Sequence, residues 1–309
     1  MSGASSARRL GLLVLVAAAL AAALTGGAPG TALGAGGTYE VVQCHPLHRG
    51  IPDAKISDNA AYAVRQGCSD ADQDHAVRID NIGASSEGQA GRVRWKAPAG
   101  TGIVGVTLGT RLRRDGGHKA RVYLADDQLR ETARVATGTN SGTGWTSESW
   151  SGPAQEQLVV SLQCDDPPNC PRSDEAKAWV RNIRITLKDF GDPELEVGGT
   201  LFGDGWRVGS ETLRVEAYDG AAGVAYLEAS VNGSSALLGS IECSRVPDTD
   251  LWLRMVPCGA VDVAHAELQT DLVPFVNGTN AVQVCAEDPA KNSTCVNRSV
   301  LVDNKPPTL

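Results

Sequence analysis

The chain has 309 residues, with 28 Lys or Arg, 36 Asp or Glu and a net charge of −8 at pH 7. The excess of acid falls after residue 190: residues 191–309 carry seventeen acidic and seven basic residues, whereas residues 38–190 carry nineteen of each. Binding to nucleic-acid phosphates requires an excess of Lys and Arg, so this composition argues against a nucleic-acid partner.

The first 34 residues have the features of a secretory signal. Arg8 and Arg9 precede an apolar run over residues 10–24, and the small-residue segment "TGGAPGTALGAGG" follows. This order of basic, apolar and small-residue regions predicts a signal peptide over residues 1–34. An uncleaved membrane anchor is the alternative, although the run is shorter than the ~20 residues of a spanning helix. No later segment is predicted to span a membrane.

Eight cysteines remain after the signal, and an even number in an exported chain predicts disulfides. Connectivity does not follow from sequence, but pairing in order would close four short loops: Cys44 with Cys68, Cys164 with Cys170, Cys243 with Cys258, and Cys285 with Cys295. No CxxC motif occurs, which disfavours a zinc site. We therefore expect an extracellular or cell-surface protein.

Alternating apolar and polar residues dominate the chain, and each such stretch is short and bounded by Gly, Pro, Asp or Asn. Examples are "RVRWKAP", "KARVYLAD", "EQLVVSLQC" and "WVRNIRITLKD", then "TLRVEAYD", "NAVQVCAED" and "SVLVDN". This pattern predicts β-strands, and no helix of ten or more residues is expected after the signal. The prediction is an all-β protein with two β-sandwich modules, over residues 38–190 and 191–304. The resemblances described below imply that the first is jelly-roll-like and the second immunoglobulin-like. Residues 305–309 would begin a further linker or tail.

An acidic loop follows Cys68. "SDADQDH" places Asp70, Asp72 and Asp74 at alternating positions, as in the first half of a calcium-binding loop. His75 stands where such a loop needs Gly, and the Glu at its twelfth position is missing. A solvated acidic loop is therefore the alternative to a calcium site.

Basic residues alternate with apolar ones along three predicted strands. They are Arg92, Arg94 and Lys96, then Arg111 and Arg113, then Arg121. If the strands are neighbours, these side chains share one sheet face, which could bind anionic glycans through Arg forks to carboxylate or phosphate. The alternative is a solvated face whose charges are offset by Asp115, Asp126, Asp127 and Glu131.

Two tryptophans lie in the segment "GWTSESW". Trp145 and Trp150 could stack on sugar rings if their rings are exposed. In a strand, however, their odd spacing would send them to opposite faces, and packing against the core is the alternative.

The second half resembles a known family. "LRVEAYDGAAGVAYLEASVNG" is similar to the D-x-x-S-G-V segment, and "VQVCAEDPAKNSTCVNRSVLVDN" to the D-x-A-G-N hairpin, of bacterial immunoglobulin-like repeats in secreted actinobacterial proteins. Ala222 replaces the usual Ser, and Lys291 replaces the usual Gly, so Lys291 has to adopt a turn conformation that Gly adopts more easily. The resemblance implies a spacer or adhesive module at the cell surface. The first half, closing with "AWVRNIRITLKD", more distantly resembles a lectin-type or carbohydrate-binding jelly roll.

The segment "VCAEDPAKNSTC" is predicted to form a hairpin. "DPAKN" would be its turn, in which the side chains of Asp288 and Asn292 form hydrogen bonds with the backbone. A disulfide between Cys285 and Cys295 would link the two strands. The alternative is a calcium site between Asp288, Glu287 or the linker acids Asp192 and Asp303.

These observations favour a non-catalytic binding protein, with glycan or another cell-envelope component as the ligand of the first module and the second module as a spacer. No GxSxG, HExxH, GxGxxG or P-loop motif occurs. A purely structural or adhesive surface protein is one alternative. A glycoside-active enzyme is another, since it needs only two suitably separated carboxylates.

Overall fold

The computed structural model describes residues 36–139 and 144–305. These residues form an all-β protein, as predicted, with no α-helix and two short 3-10 turns at Ala71–Gln73 and Thr200–Phe202. The predicted signal peptide and residues 306–309 lie outside the described residues.

The strands of the first half are, in chain order, β1 (Thr38–Gln43), β2 (Ala54–Ser57), β3 (Tyr62–Gln66), β4 (Val77–Asn81), β5 (Ser85–Ser86), β6 (Ala90–Lys96), β7 (Thr101–Arg113), β8 (His118–Ala125), β9 (Glu131–Thr137), β10 (Thr146–Gln155), β11 (Gln157–Cys164), β12 (Asn169–Cys170) and β13 (Lys177–Asp189). Those of the second half are β14 (Glu194–Gly198), β15 (Trp206–Arg207), β16 (Ser210–Tyr218), β17 (Tyr226–Val231), β18 (Ser234–Ser240), β19 (Leu251–Trp252), β20 (Val261–Gln269), β21 (Gly278–Glu287) and β22 (Ser293–Val302).

Two large sheets and a two-stranded sheet of β5 and β12 form the first half. The first sheet has the order β10-β7-β13-β1-β19, with β4 and then β3 added beside the start of β13, and the second has the order β2-β6-β11-β8-β9. Alternation along β6 buries Val93 and Trp95 completely, and alternation along β13 buries Ile183, Ile185 and Leu187. These side chains belong to one apolar cluster, because each strand presents every second residue to the core.

Strand β13 is interrupted by a bulge at Asn182. One edge of β13 pairs with β7, but the other edge pairs with β4 at residues 177–180 and with β1 at residues 183–188. Between these two segments, the register of β13 against β7 shifts between Arg181 and Arg184. Asn182 has a φ of 51° there, and its backbone N–H donates a hydrogen bond to the Cys44 carbonyl oxygen at 2.7 Å. The bulge therefore lies where the end of β1 and the start of β4 leave a gap along β13.

The second half has its own pair of sheets and its own core. The sheets have the orders β14-β16-β20 and β15-β22-β21-β17-β18. Leu213, Val215, Val282 and Val284 are among the buried residues between them. The predicted hairpin is confirmed: β21 pairs with β22, and Cys285 lies directly opposite Cys295.

All four disulfides have the in-order pairing: Cys44–Cys68, Cys164–Cys170, Cys243–Cys258 and Cys285–Cys295. Lys291 has a φ of 71°, so this Lys does occupy the left-handed conformation expected at the position of the usual Gly.

The two halves share an extensive interface. β19, although in the second half of the chain, pairs in parallel with β1 of the first sheet, and Trp252 is buried there. The Asp53 carboxylate accepts hydrogen bonds from Arg254 Nε and Met255 N, both at 2.8 Å. A Cβ at Gly37 would lie only 1.7 Å from the Ala290 carbonyl oxygen, so the backbones approach closely at this point. The segment 241–258 therefore packs against the first half through β19 and the two residues Arg254 and Met255.

Candidate functional site

An open groove of about 520 Å³ lies on the outer side of the first sheet, beside the bulge. The residues that line it include Glu40, His45, Trp145, Arg181, Asn182 and Arg184. A smaller cavity of about 190 Å³ continues from it toward the Cys44–Cys68 disulfide, since both are lined by His45, Arg181 and Asn182. We call the two cavities together the bulge groove.

The backbone around the bulge groove is unusually strained. Cys44, Asp74, His75 and Asn182 have φ values of 45°, 58°, 50° and 51°. A positive φ costs a non-glycine residue on the order of 1 kcal/mol or more, and such residues concentrate at functional sites. Three of these four residues, Cys44, His75 and Asn182, line the smaller cavity, so their backbone conformations determine its shape.

Arginines and tryptophans form a stacked array along the groove. The guanidinium carbon of Arg181 lies 3.9 Å from the centre of the Trp145 ring, and that of Arg111 lies 4.2 Å from the Trp179 ring and 5.2 Å from Trp145. Arg111 donates to the Asp74 carboxylate at 2.7 Å. Arg181 donates only to the Asp74 carbonyl, at 3.3 Å, and has no carboxylate within 4.0 Å among the described residues.

The remaining charged groups leave the groove cationic. Glu40 is engaged with Arg184 at 3.3 Å, and the exposed Arg49 contacts the His75 ring at 3.1 Å. Burial lowers the pKa of His45, and the nearby Arg184 lowers it further, so His45 is neutral at pH 7. The groove thus offers the guanidinium of Arg181, the ring of Trp145 and neutral hydrogen-bonding groups such as His45 and Asn182. These groups are suited to an anionic polar ligand.

The predicted basic face exists in a smaller form. β11 lies between β6 and β8, so Arg92, Arg94, Lys96 and Arg121 share the outer face of the second sheet. The expectation that Arg111 and Arg113 join them is wrong, because β7 belongs to the first sheet. Arg113 instead pairs with Glu175. Alternation assigns a side chain to a face of its own strand, but does not say which strands are neighbours.

The acids expected to offset this face lie elsewhere. Asp126 pairs with Arg130, Glu131 pairs with Arg134, and Asp115 accepts a hydrogen bond from Ser173. Asp165, which the sequence did not single out, binds Lys119 and Arg121. In the part of the chain that the structure describes, Arg92, Arg94 and Lys96 have no ion-pair partner.

The two tryptophans point to opposite faces, as their spacing predicts. Trp145, just before β10, lies half-buried on the groove side. Trp150 pairs with Val106 and packs against the core of the first half. Trp150 is therefore not placed to contact a ligand in the groove, and Trp145 is covered in part by Arg181.

The acidic loop does not gather its carboxylates around one point. Asp70 accepts hydrogen bonds from the backbone N–H of Asp72 and from Gln73, both at 2.9 Å, and so caps the 3-10 turn. Asp74 points to Arg111. Local capping and an ion pair thus account for Asp70 and Asp74, and Asp72 is exposed.

A different cluster of carboxylates lies between the two halves. Asp189, Asp219 and Asp288 each place an oxygen within 4.8 Å of the other two. Of the predicted calcium residues only Asp288 belongs to it, since Asp192 is exposed in the linker. Burial, with the neighbouring Asp219, raises the pKa of Asp189 to about 6; burial, with Asp189 and Asp219, raises that of Asp288 to about 7. Asp219 is the first residue of "DGAAGV", the segment similar to the D-x-x-S-G-V motif, so the motif could be recognised in the sequence. Its proximity to Asp189 and Asp288 could not.

No helix among the described residues has the length and apolar character needed to cross a membrane. No protein-family model and no curated protein matches the chain.

Several solved structures match at low identity. The adhesin domain of Epf from Streptococcus pyogenes is 11% identical, with 82% of each chain covered and a TM-score of 0.27. The CBM22-1-CBM22-2 tandem domain of Xyn10C from Paenibacillus barcinonensis is 10% identical, over 83% of this chain and 92% of that one, at 0.24. The Endo-D glycoside hydrolase domain from Streptococcus pneumoniae R6 is 9% identical over 73% of this chain, at 0.22, and this chain spans only 33% of it. Such TM-scores carry no inference about what this chain binds.

Proposed function

We propose that the protein is a non-catalytic binding protein of the cell envelope, and that it binds an acidic glycan in the bulge groove. Four disulfides are typical of a chain that folds in an oxidising compartment, in agreement with an extracellular or cell-surface location. The second half acts as a rigid support for the first.

The observation that carries the proposal is the state of Arg181. Its guanidinium is oriented by the Trp145 ring, lines both cavities and lacks a carboxylate partner among the described residues. Such a guanidinium is ready to donate two parallel hydrogen bonds to a carboxylate or phosphate, and its orientation lowers the entropy lost on binding. The adjoining Arg49 adds positive charge at the far end of the groove.

The groove is preferred to the basic face for a geometric reason. Arg92, Arg94 and Lys96 project from a sheet face, and none of them lines either cavity of the bulge groove. The groove is concave and has a ring and an Arg in contact, and concave sites bury more of a small ligand.

The test is co-sedimentation and calorimetry with a uronic-acid polysaccharide and with purified bacterial cell walls. We expect Arg181→Ala to weaken binding roughly ten- to hundredfold, because a hydrogen bond to a charged group contributes about 1.5–3 kcal/mol and about 1.4 kcal/mol corresponds to tenfold. Trp145→Ala should weaken it through the lost orientation of Arg181.

Arg94→Ala is the matched control, since it removes the same charge from the opposite outer face. It should bind like the wild type in the same buffer. If Arg94→Ala lost binding while Arg181→Ala kept it, the ligand would sit on the second sheet and the proposed groove would be wrong.

A further inference from the structure

Three carboxylates from separate parts of the chain meet where the two halves touch. Asp189 ends β13 in the first half, Asp219 follows β16, and Asp288 begins the turn between β21 and β22. Asp189 and Asp288 are completely buried, and Asp219 is 8% exposed. We call them the junction carboxylates.

No positive side chain within the described residues balances them. None of the three forms a salt bridge there, and the neighbouring lysines are engaged elsewhere: Lys291 binds Glu287 at 2.7 Å, and Lys188 lies over the Phe190 ring. The further charged group that acts on them, Asp192 beside Asp189, is also acidic. Three buried like charges without a counter-charge are strongly unfavourable.

Two carboxylate oxygens at this junction also accept no hydrogen bond of normal length and angle, since the backbone N–H groups of Ala222 and Gly223 make only weaker contacts with Asp189 and Asp219. They are Oδ2 of Asp189 and Oδ2 of Asp219, both buried. Buried polar atoms are nearly always satisfied, so an unsatisfied pair beside a third carboxylate indicates a missing partner. This observation is independent of the clustering itself.

The other oxygens are held in place by the backbone. Asp189 Oδ1 accepts from Gly191 N at 3.0 Å, and Asp219 Oδ1 accepts from Ala221 N at 2.8 Å. Asp288 accepts from the backbone and side chain of Asn292, whose own Oδ1 accepts from Gly37 N. Each carboxylate is thus oriented before any ligand arrives, which is how effective ion sites are built.

We propose that the junction carboxylates bind one calcium ion, which joins the end of β13 to the two loops of the second half. Carboxylate oxygens on loops suit calcium, which takes six to eight oxygen ligands in flexible geometry. The ion would supply the missing counter-charge and the missing partner of both Oδ2 atoms. This site is separate from the bulge groove, and its test does not depend on a glycan.

The first experiment uses the wild-type protein after treatment with a chelator. Calorimetric titration with calcium chloride should give one site per chain, and the melting temperature should rise by about 5 °C or more in excess calcium, because an ion that binds only the native state stabilises it. Magnesium should raise it less, since its octahedral geometry is stricter. An unchanged melting curve would overturn the proposal, and an equal or larger rise with magnesium would overturn the choice of calcium.

The second experiment compares Asp219→Asn and Asp288→Asn with Asp192→Asn, which removes an exposed acid of the linker. Both cluster variants should lose the calcium-induced rise. Asp219→Asn should also melt no lower than the wild type in chelator, because one repelling charge is gone and the Oδ2 atom of Asp219 has no hydrogen bond of normal geometry to lose. Asp192→Asn should keep the rise. Cluster variants that keep the full rise would contradict the site, and if neither folds, the wild-type titration decides.

Discussion

At the scale of single residues, the structure contains one buried histidine outside the groove. His118 is 1% exposed; its Nε2 lies 3.2 Å from the Ser85 hydroxyl, its Nδ1 lies 3.1 Å from the Asp115 carbonyl oxygen, and its ring meets that of Tyr62 edge-on at 5.9 Å. Burial lowers the pKa of His118. The folded state therefore holds the ring neutral, whereas the unfolded chain protonates it near pH 6.5.

The stability of the protein should accordingly depend on His118 below pH 6.5. A depressed folded-state pKa contributes stability that is present above about 6.5 and is lost as the pH falls through the folded-state value. Urea unfolding at pH 7.5 and pH 5 should show a larger loss for the wild type than for His118→Asn, whose side chain does not titrate. Equal losses in the two proteins would mean that His118 is not held neutral by the fold.

At the scale of elements, the bulge in β13 shapes the groove. A continuous β13 would pair with β4 and β1 without a gap, and Arg181 and Asn182 would follow the ordinary alternation. The strand "AWVRNIRITLKD" was readable from its alternation, and so were the strands of the β21–β22 hairpin with the disulfide across it. The bulge leaves a sign in "VRNIR", where the consecutive polar residues Arg181 and Asn182 move the buried apolar positions from even to odd numbers. The identity of the strands that lie beside the bulge leaves no such sign, so the groove could not be predicted.

Substitution at Asn182 tests the role of the bulge. Asn182→Val should destabilise the protein by about 1–3 kcal/mol and weaken glycan binding, because a β-branched residue at positive φ is strained. Asn182→Gly is the matched control, since Gly adopts this conformation readily and should retain both properties. Urea unfolding and the polysaccharide binding assay measure the two effects. Unaltered binding by a destabilised Asn182→Val protein would separate the groove from the bulge.

At the scale of the whole molecule, the two halves are joined more closely than a chain of modules requires. Two β-sandwich modules were expected, and each half has a large apolar cluster of its own, but Ala222, Trp252, Met255 and Ala290 of the second half pack into the cluster of the first. The junction carboxylates and β19 lie at the same interface. Contacts between residues that are far apart in the chain leave no local pattern, so the sequence did not predict this interface or the partners of Asp288.

The arrangement assigns separate tasks to separate regions. The outer side of the first sheet carries the groove, the interface carries the carboxylates, and the second half holds β1 through β19. Because β1 supplies Glu40 and leads into His45, a firmly held β1 keeps one wall of the groove in place. On the proposed function, Arg181 of the neighbouring strand β13 recognises an anionic group on a glycan.

The most direct measurement is a calorimetric titration of the protein with a uronic-acid polysaccharide and with the same polysaccharide after its carboxylates have been reduced to alcohols. We expect saturable binding to the acidic form that weakens with added salt, and at least tenfold weaker binding to the reduced form, because the reduced form has no carboxylate to pair with Arg181. Equal affinity for the two forms, or no binding to the acidic form, would contradict it.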